Sequence, residues 1–518
     1  METLDNVFSD KSKYSEIKKF LLRGFFIGII FHFAQLAYSG YNGDSLGFGF
    51  YYHTYTGELE QGRYGLLLFS GRAVNPAIEF IGSLFLYSLM SYMAVDLVSV
   101  KLSSVSSLLI QGLIMSQPHL ATYSTFSYAS FPYTIAYTSM VFSVYIIKKS
   151  FSKHCRALVF SSIAVAVSFS IWQGYIPTFT TLSFIALVLS SENKDRIRIF
   201  ISSIITGVSG TVLYLIGMKL VNFIYGLSPT DARGFASVLS MKLPLFKDPV
   251  GTVFGSYYVF VKYLIGNGIV YNGTLITAVH IMLGLFMTIF GIIFVKKEQN
   301  AANRAVLLIL LLLTPMAFCF YKVLSDDVER IPWTYLHSMI FIWIMLIGML
   351  HKTNIKIKTA VFAVYALIAI VICHQVYICN IGYSALKERD IKSESMALAM
   401  YSKLIANENW NDELPIMVTG SMDEIYKDSN WYYYDYLKGW QPQRNEYLPY
   451  PVMPQNWVIQ MNRILGTSFH NISYADDIYQ TIIDSKEYGE MNVWPHDDCM
   501  KVIDGVMVIK LKEISEGG

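Results

Sequence analysis

Charge, cysteine and metal-ligand spacing are what this sequence has least of. Only 15% of its 518 residues are charged, and the formal net charge is +2. Nothing in that balance suggests nucleic acid as a partner. There are 5 cysteines. Cys155, Cys319, Cys373 and Cys379 lie in or beside apolar segments, and Cys499 lies near the C-terminus. No CxxC pair and no HExxH occurs, so neither a disulfide framework nor a zinc site is expected. His32, His53 and His280 stand alone in sequence and are expected to be packed residues. No internal repeat is visible, which argues against the repeated halves of many transporters. The first apolar segment runs on without a small-residue cleavage site, as in an uncleaved anchor.

Apolar residues are abundant instead. They make up 53% of the chain, and the mean hydropathy is +0.40. A spanning helix needs roughly 20 mostly apolar residues, and by that criterion about eleven spans are expected. They fall at 20–38, 77–100, 105–119, 126–147, 157–171, 175–190, 199–225, 274–295, 305–321, 335–350 and 359–378. The stretch 250–270, broken by glycines and a lysine, is expected at the interface or re-entering the membrane. Lys18 and Lys19, Lys101, Lys148 and Lys149, Lys194 to Arg198, Lys296 and Lys297, and Lys352 to Lys358 occupy alternate connections. The positive-inside rule then puts the N-terminus in the cytoplasm and the C-terminus outside. A polytopic α-helical membrane domain over 1–380 is expected, followed by a small α/β extracytoplasmic domain over 381–518. In the latter, an amphipathic helix is expected at 391–406 and a strand at 415–420. Lys501 to Leu511 reads as a hairpin turning at Asp504-Gly505.

The loop over 39–77 is too long for a mere connection between spans. It gathers Asp44, Glu58, Glu60, Arg63 and Arg72 with several aromatic residues and glycines. Transfer of a sugar from a lipid phosphate needs a base for the acceptor hydroxyl and donors for the departing phosphate. Asp44, just past the first span, suits the base, although Asn42-Gly43-Asp44-Ser45 is equally good turn chemistry. Arg63 and Arg72, each after a glycine, suit bidentate phosphate binding or interfacial anchoring. A second outer loop offers Arg330 for phosphate and Asp326 and Asp327 for acceptor or metal; a solvated, ion-paired loop is the plainer alternative. Gln173 and Tyr175 are polar groups near membrane depth, where polarity tends to be functional. Glu58 joins them as a substrate-binding candidate. No cofactor is expected, and a divalent metal has only Asp326 and Asp327 to hold it.

The order of these features resembles the GtrII family of bacterial membrane glucosyltransferases, of the GT-C type. The resemblance rests on Asn42-Gly43-Asp44, Gly62-Arg63-Tyr64-Gly65, Trp172-Gln173-Gly174-Tyr175 and Lys501 to Leu511. Tyr64 stands where a tryptophan is expected, and Trp172 where a tyrosine is expected. The resemblance implies a polyprenyl-phosphate-glucose donor and a surface polysaccharide acceptor such as O-antigen. It also implies action at the outer face of the bacterial cytoplasmic membrane, with Asp44 as the catalytic carboxylate. A monophosphate leaving group needs less neutralisation than a diphosphate, so arginines could suffice and inversion by direct displacement is expected. A polysaccharide polymerase or a lipid-linked saccharide flippase are the alternatives in other classes.

Overall fold

Where water is absent, each backbone N–H and C=O must be bonded within its own segment, so apolar runs of this length fold as helices. A computed structural model describes residues 11–38, 56–72, 75–98, 102–126, 129–149, 154–190, 192–227, 244–265, 273–324, 337–353, 357–420 and 456–513. Six helices among them are long and apolar enough to cross a membrane: Pro76–Leu97, Ser130–Lys149, Asn193–Tyr225, Thr274–Lys297, Ala301–Phe318 and Lys358–Ile405. The protein is therefore a helical membrane protein. Shorter apolar helices lie at Cys155–Ile171 and Ile340–Thr353. The most apolar 18-residue window of Thr274–Lys297 has a hydropathy of 2.4, yet only 28% of it is buried. Leu275, Leu285, Ile289 and Ile292 point outward, a surface suited to lipid and not to water.

The described residues form two compact units that part between Asn380 and Ile381. In the helical unit, the His154–Ile171 helix packs between Ser130–Lys149 and Asn193–Tyr225. Small residues bring these helices close, as is usual where lipid supplies no hydrophobic driving force. Ser161 Oγ donates to the Ser143 carbonyl at 2.8 Å, and Ser162 and Ser209 share a hydroxyl hydrogen bond of 2.6 Å. A Cβ on Gly210 would lie 2.6 Å from Val165 Cγ1 and 3.0 Å from the Ser162 carbonyl oxygen.

Two expected spans are interrupted. The first helix, Lys11–Phe31, stops at His32, whose Nε2 donates to the Met115 carbonyl at 2.7 Å, before Phe33–Tyr38 resumes. Ser104–Ser116 ends at Gln117, and Pro118 opens the short helix Pro118–Ser124 because proline fits a first turn but not a helix interior. The segment expected at the interface contains the helix Pro249–Leu264, capped by Asp248 accepting from Gly251 N at 2.9 Å.

The basic residues at one end of this unit have a specific structural use. Lys148 donates to the Leu97 carbonyl, Lys352 to Leu189 and Lys297 to Thr353, while Arg196 donates to Ser190 at 2.7 Å. Each acceptor is a carbonyl at or just past a helix C-terminus, where orphan groups and the negative dipole end favour a cation.

The second unit carries a four-stranded sheet in the order β2-β1-β4-β3. Its strands are β1 (Ile416–Thr419), β2 (Asn471–Ile472), β3 (Met500–Ile503) and β4 (Val506–Lys510). β1 runs parallel to β2 and β4; β3 and β4 are antiparallel. Their turn is the expected Asp504-Gly505, with φ of 47° and 74°, the left-handed pair that a two-residue hairpin requires. Met400, Leu404, Trp457 and Met461 cover one face of the sheet, and Ile482, Tyr488 and Met491 the other. Burial on both faces explains the unbroken apolar runs of β1 and β4. Lys510 is 1% exposed; its Nζ donates to the Tyr488 and Met491 carbonyls and pairs with Glu513 at 2.9 Å. Residues 391–405 are not a separate helix: they belong to Lys358–Ile405, because the fall in hydrophobicity after Cys379 brings no proline and only the single glycine Gly382 with it.

Replacing Gly210 with isoleucine places side-chain atoms against Val165 and the Ser162 backbone. Overpacking of this kind costs about 1–3 kcal/mol. The variant is expected to unfold at a lower temperature in detergent, while a leucine at the exposed Ile216 leaves the transition unchanged.

Candidate active site

The described part of the long loop is built by tight turns. After the short helix Thr56–Glu60, Gly62 N donates to the Leu59 carbonyl at 2.8 Å and Arg63 N to that of Glu58 at 2.9 Å. Gly62 has a φ of +78°, and a Cβ there would collide with the Tyr214 hydroxyl, so both conformation and space demand glycine. The 3-10 turn Tyr64–Leu68 follows. Gly65 lies against Ser170 and Ile171, at the end of the His154–Ile171 helix. Tyr64 stacks on Tyr214 with ring centroids 5.8 Å apart, and its hydroxyl donates to the Tyr214 carbonyl at 3.1 Å. Burial pushes the Tyr64 phenol up to about 12, so it stays a donor across the physiological range.

The second motif is the turn after that helix. Trp172 is extended, Gln173–Tyr175 forms a 3-10 turn, and Ile176–Val188 leads away as a helix. Glycine at 174 lets the Trp172 indole fold back over the turn, since a Cβ there would strike its ring. Gln173 Nε2 donates to the Gln61 carbonyl at 3.0 Å and to Tyr214 Oη at 2.9 Å. The two motifs thus meet: Gly62 to Gly65 docks on Trp172 to Tyr175, with Tyr214 beside both.

Arg63 sits at their junction. Its guanidinium carbon lies 4.3 Å from the centre of the Trp172 ring, and Nη1 is 3.8 Å from Glu58 Oε1. The residue is 6% exposed, and its Nε has no hydrogen-bond partner among the described residues. A cation held by a π-face and one loosely placed carboxylate retains donor capacity for an anion. Trp172 is in turn held by Tyr133 at 5.4 Å and, edge-on, by Tyr123 at 6.4 Å.

Tyr175 turns inward and is fully buried; its hydroxyl is 3.2 Å from His119 Nε2. Arg72 is exposed, after Gly71 at φ +77°. Asp44, Asp326, Asp327, Arg330 and His53 lie outside the described residues. Among the described residues no group of three His, Cys, Asp or Glu side chains comes together as metal ligands. His280 is packed, stacked on Trp343 at 5.9 Å.

Sequence reasoning missed the buried polar cluster beneath the turn. His119 and His337 are 0% exposed, with rings 5.0 Å apart, among Tyr87, Tyr123, Tyr137 and Tyr175. Tyr87 hydrogen-bonds His119 Nδ1, and Tyr123 Oη lies 2.9 Å from His337 Nε2. Gln117, at the helix break, accepts from the Tyr137 hydroxyl at 3.3 Å. The signal was present: Gln117-Pro118-His119 puts two polar residues and a breaker at the end of an apolar segment.

The family model described as Glucosyl transferase GtrII matches residues 33–331, more than half the chain, and takes in both docked motifs. The chain belongs to the GtrII glucosyltransferase family. It is accordingly a glycosyltransferase, with a sugar donor and an acceptor. No curated protein and no solved structure matches it. In this GtrII glucosyltransferase the junction of the two motifs is the candidate active site, because it is where the matched region gathers a buried cation, a carboxylate and aromatic faces.

Gly62 and Gly71 give a paired test of the docking. Gly71→Ala meets nothing within 4 Å and carries only the backbone cost of positive φ, about 1–2 kcal/mol. Gly62→Ala adds the clash with Tyr214 and is expected to lower the unfolding temperature further and to reduce glucosyl transfer. Equal losses in the two variants would show that Gly62 is not held against Tyr214.

Proposed function

We propose that this glycosyltransferase moves glucose from a polyprenyl-phosphate donor to a surface polysaccharide such as O-antigen, with inversion at the anomeric carbon. The reading rests chiefly on Arg63, a buried guanidinium whose Nε is unpaired among the described residues, lying on Trp172 beside Glu58. A guanidinium in that setting can donate paired hydrogen bonds to the donor phosphate, which leaves with the polyprenyl chain as a charged monoester. Arg63 binds the departing phosphate, with Arg72 and Arg330 as further donors from their loops. Asp44 takes the proton of the acceptor hydroxyl as it attacks. Gln173 and Glu58 contact the sugar, and Tyr175 shapes the site from within. Asp326 and Asp327 are left to the acceptor.

The chain, in this reading, is a GT-C-type enzyme of the bacterial cytoplasmic membrane with about eleven spans. Its transmembrane domain is 1–380 and its extracytoplasmic domain 381–518. Two features support an outer site. The capping cations Lys148, Lys352 and Arg196 mark one end of the helical unit. Tyr214, which touches both motifs, lies roughly 27 Å further along the helix from Arg196, close to a hydrocarbon thickness of about 30 Å. With the basic end taken as cytoplasmic, this spacing supports a place for Arg63 toward the far surface.

The test is glucosyl transfer by the purified full chain in nanodiscs, from polyprenyl-phosphate-glucose to envelope polysaccharide. Arg63→Gln removes charge-assisted hydrogen bonds of about 1.5–3 kcal/mol, so the donor KM is expected to rise about 10–100-fold. Asp44→Asn is expected to lower kcat by roughly 10²–10⁴-fold with the donor KM little changed. Transfer that is unaffected by Arg63→Gln contradicts the phosphate role, and transfer unaffected by Asp44→Asn contradicts the base.

A further inference from the structure

We infer that His337 is a positioning residue for this site: it fixes the turn that holds Trp172 beneath Arg63. The inference rests on the reading of Arg63 as the donor-phosphate group and extends it to a residue beyond the family-matched region 33–331.

The argument is one of donors and acceptors. His337 Nδ1 lies 2.8 Å from the Gly174 carbonyl oxygen. A carbonyl can only accept, so Nδ1 carries the hydrogen. In the neutral ring Nε2 is then the acceptor, and Tyr123 supplies its hydroxyl proton at 2.9 Å. The backbone of His337 is tied as well: Tyr137 Oη and Thr178 Oγ1 donate to its carbonyl at 2.8 and 3.2 Å. A ring fixed in tautomer and a backbone fixed in place together hold Gly174, more than 160 residues away in sequence. Gly174 is the residue over which the Trp172 indole folds, and that indole carries the Arg63 guanidinium. Tyr123 closes the circuit by meeting Trp172 edge-on. The order of influence is Tyr123, His337, Gly174, Trp172, Arg63. Release of the Gly174 carbonyl would loosen the turn and let the indole leave the guanidinium, without removing any group that touches substrate.

Two isosteres separate this role from simple packing. In His337→Asn the amide nitrogen takes the place of Nδ1 and can still donate to Gly174. In His337→Gln the amide reaches the Nε2 position, toward Tyr123, and the bond to Gly174 is lost. Binding of undecaprenyl phosphate to the full chain in nanodiscs is measured for both, for Arg63→Gln, and for the Arg63→Gln/His337→Gln double variant. Hydrogen exchange of residues 172–176 is followed in each without ligand. The inference predicts at least tenfold weaker binding and faster exchange for His337→Gln, and changes within threefold for His337→Asn. It also predicts less than a twofold further loss when His337→Gln is added to Arg63→Gln, because both act through one contact.

Equal losses in the Asn and Gln variants, no loss in either, or losses that multiply in the double variant would overturn it. Unchanged binding in Arg63→Gln contradicts the donor reading itself. Exchange then decides the matter for His337: faster in Gln but not in Asn supports it, and equal exchange overturns it. Should His337→Gln fail to fold, Tyr123→Phe removes the proton that fixes the tautomer and is expected to weaken binding at least threefold. Wild-type binding in that variant would count against the inference.

Discussion

A buried guanidinium is costly unless its surroundings replace the water it has lost, and the site around Arg63 is organised by that requirement. The π-face of Trp172 and the carboxylate of Glu58 supply part of the replacement. To put them there, the loop must turn at Gly62, press Gly65 against Ser170 and lay Tyr64 on Tyr214. The Trp172 turn must fold back over Gly174 and anchor Gln173 to Gln61 and Tyr214. None of these contacts is strong alone. Together they leave one cation with spare donor capacity, which is what a transferase needs where negative charge develops on a leaving group.

The same residue types serve a different purpose at the other end of the helical unit. There Lys148, Lys352, Lys297 and Arg196 spend their donors on carbonyls at helix C-termini. Those cations meet carbonyl oxygens of the protein itself, whereas the Arg63 guanidinium meets the Trp172 ring and a carboxylate 3.8 Å away. The contrast is one of partners, helix-end carbonyls against an aromatic face and a carboxylate, a distinction that counting lysines and arginines in loops does not make.

Much of the fold was legible because hydrophobic length and turn chemistry are local properties. The apolar runs became helices, and Asp504-Gly505 became a hairpin turn because its left-handed φ values suit those residues. The interruptions at His32 and Gln117 were less legible, since mean hydropathy averages over single polar residues. Residues 391–405 looked like a new element because hydrophobicity reports environment, and the backbone continues regardless. In the site, Gly62 to Gly65 and Trp172 to Tyr175 were each visible as motifs. Their docking was not, because it depends on Tyr214 being brought between them by helix packing. His337 was invisible for the same reason: its only sequence signature is a lone histidine at the edge of an apolar run. Asp44, Asp326, Asp327 and Arg330 fall outside the described residues, so their parts rest on chemistry and resemblance.

The most direct test of the central claim is a cryo-EM structure of the full chain with polyprenyl-phosphate-glucose bound. The account predicts the phosphate within about 3 Å of the Arg63 guanidinium, with Trp172 still beneath it. A donor phosphate seated elsewhere, with Arg63 still closed between Trp172 and Glu58, would contradict the account and leave Arg63 as part of the scaffold.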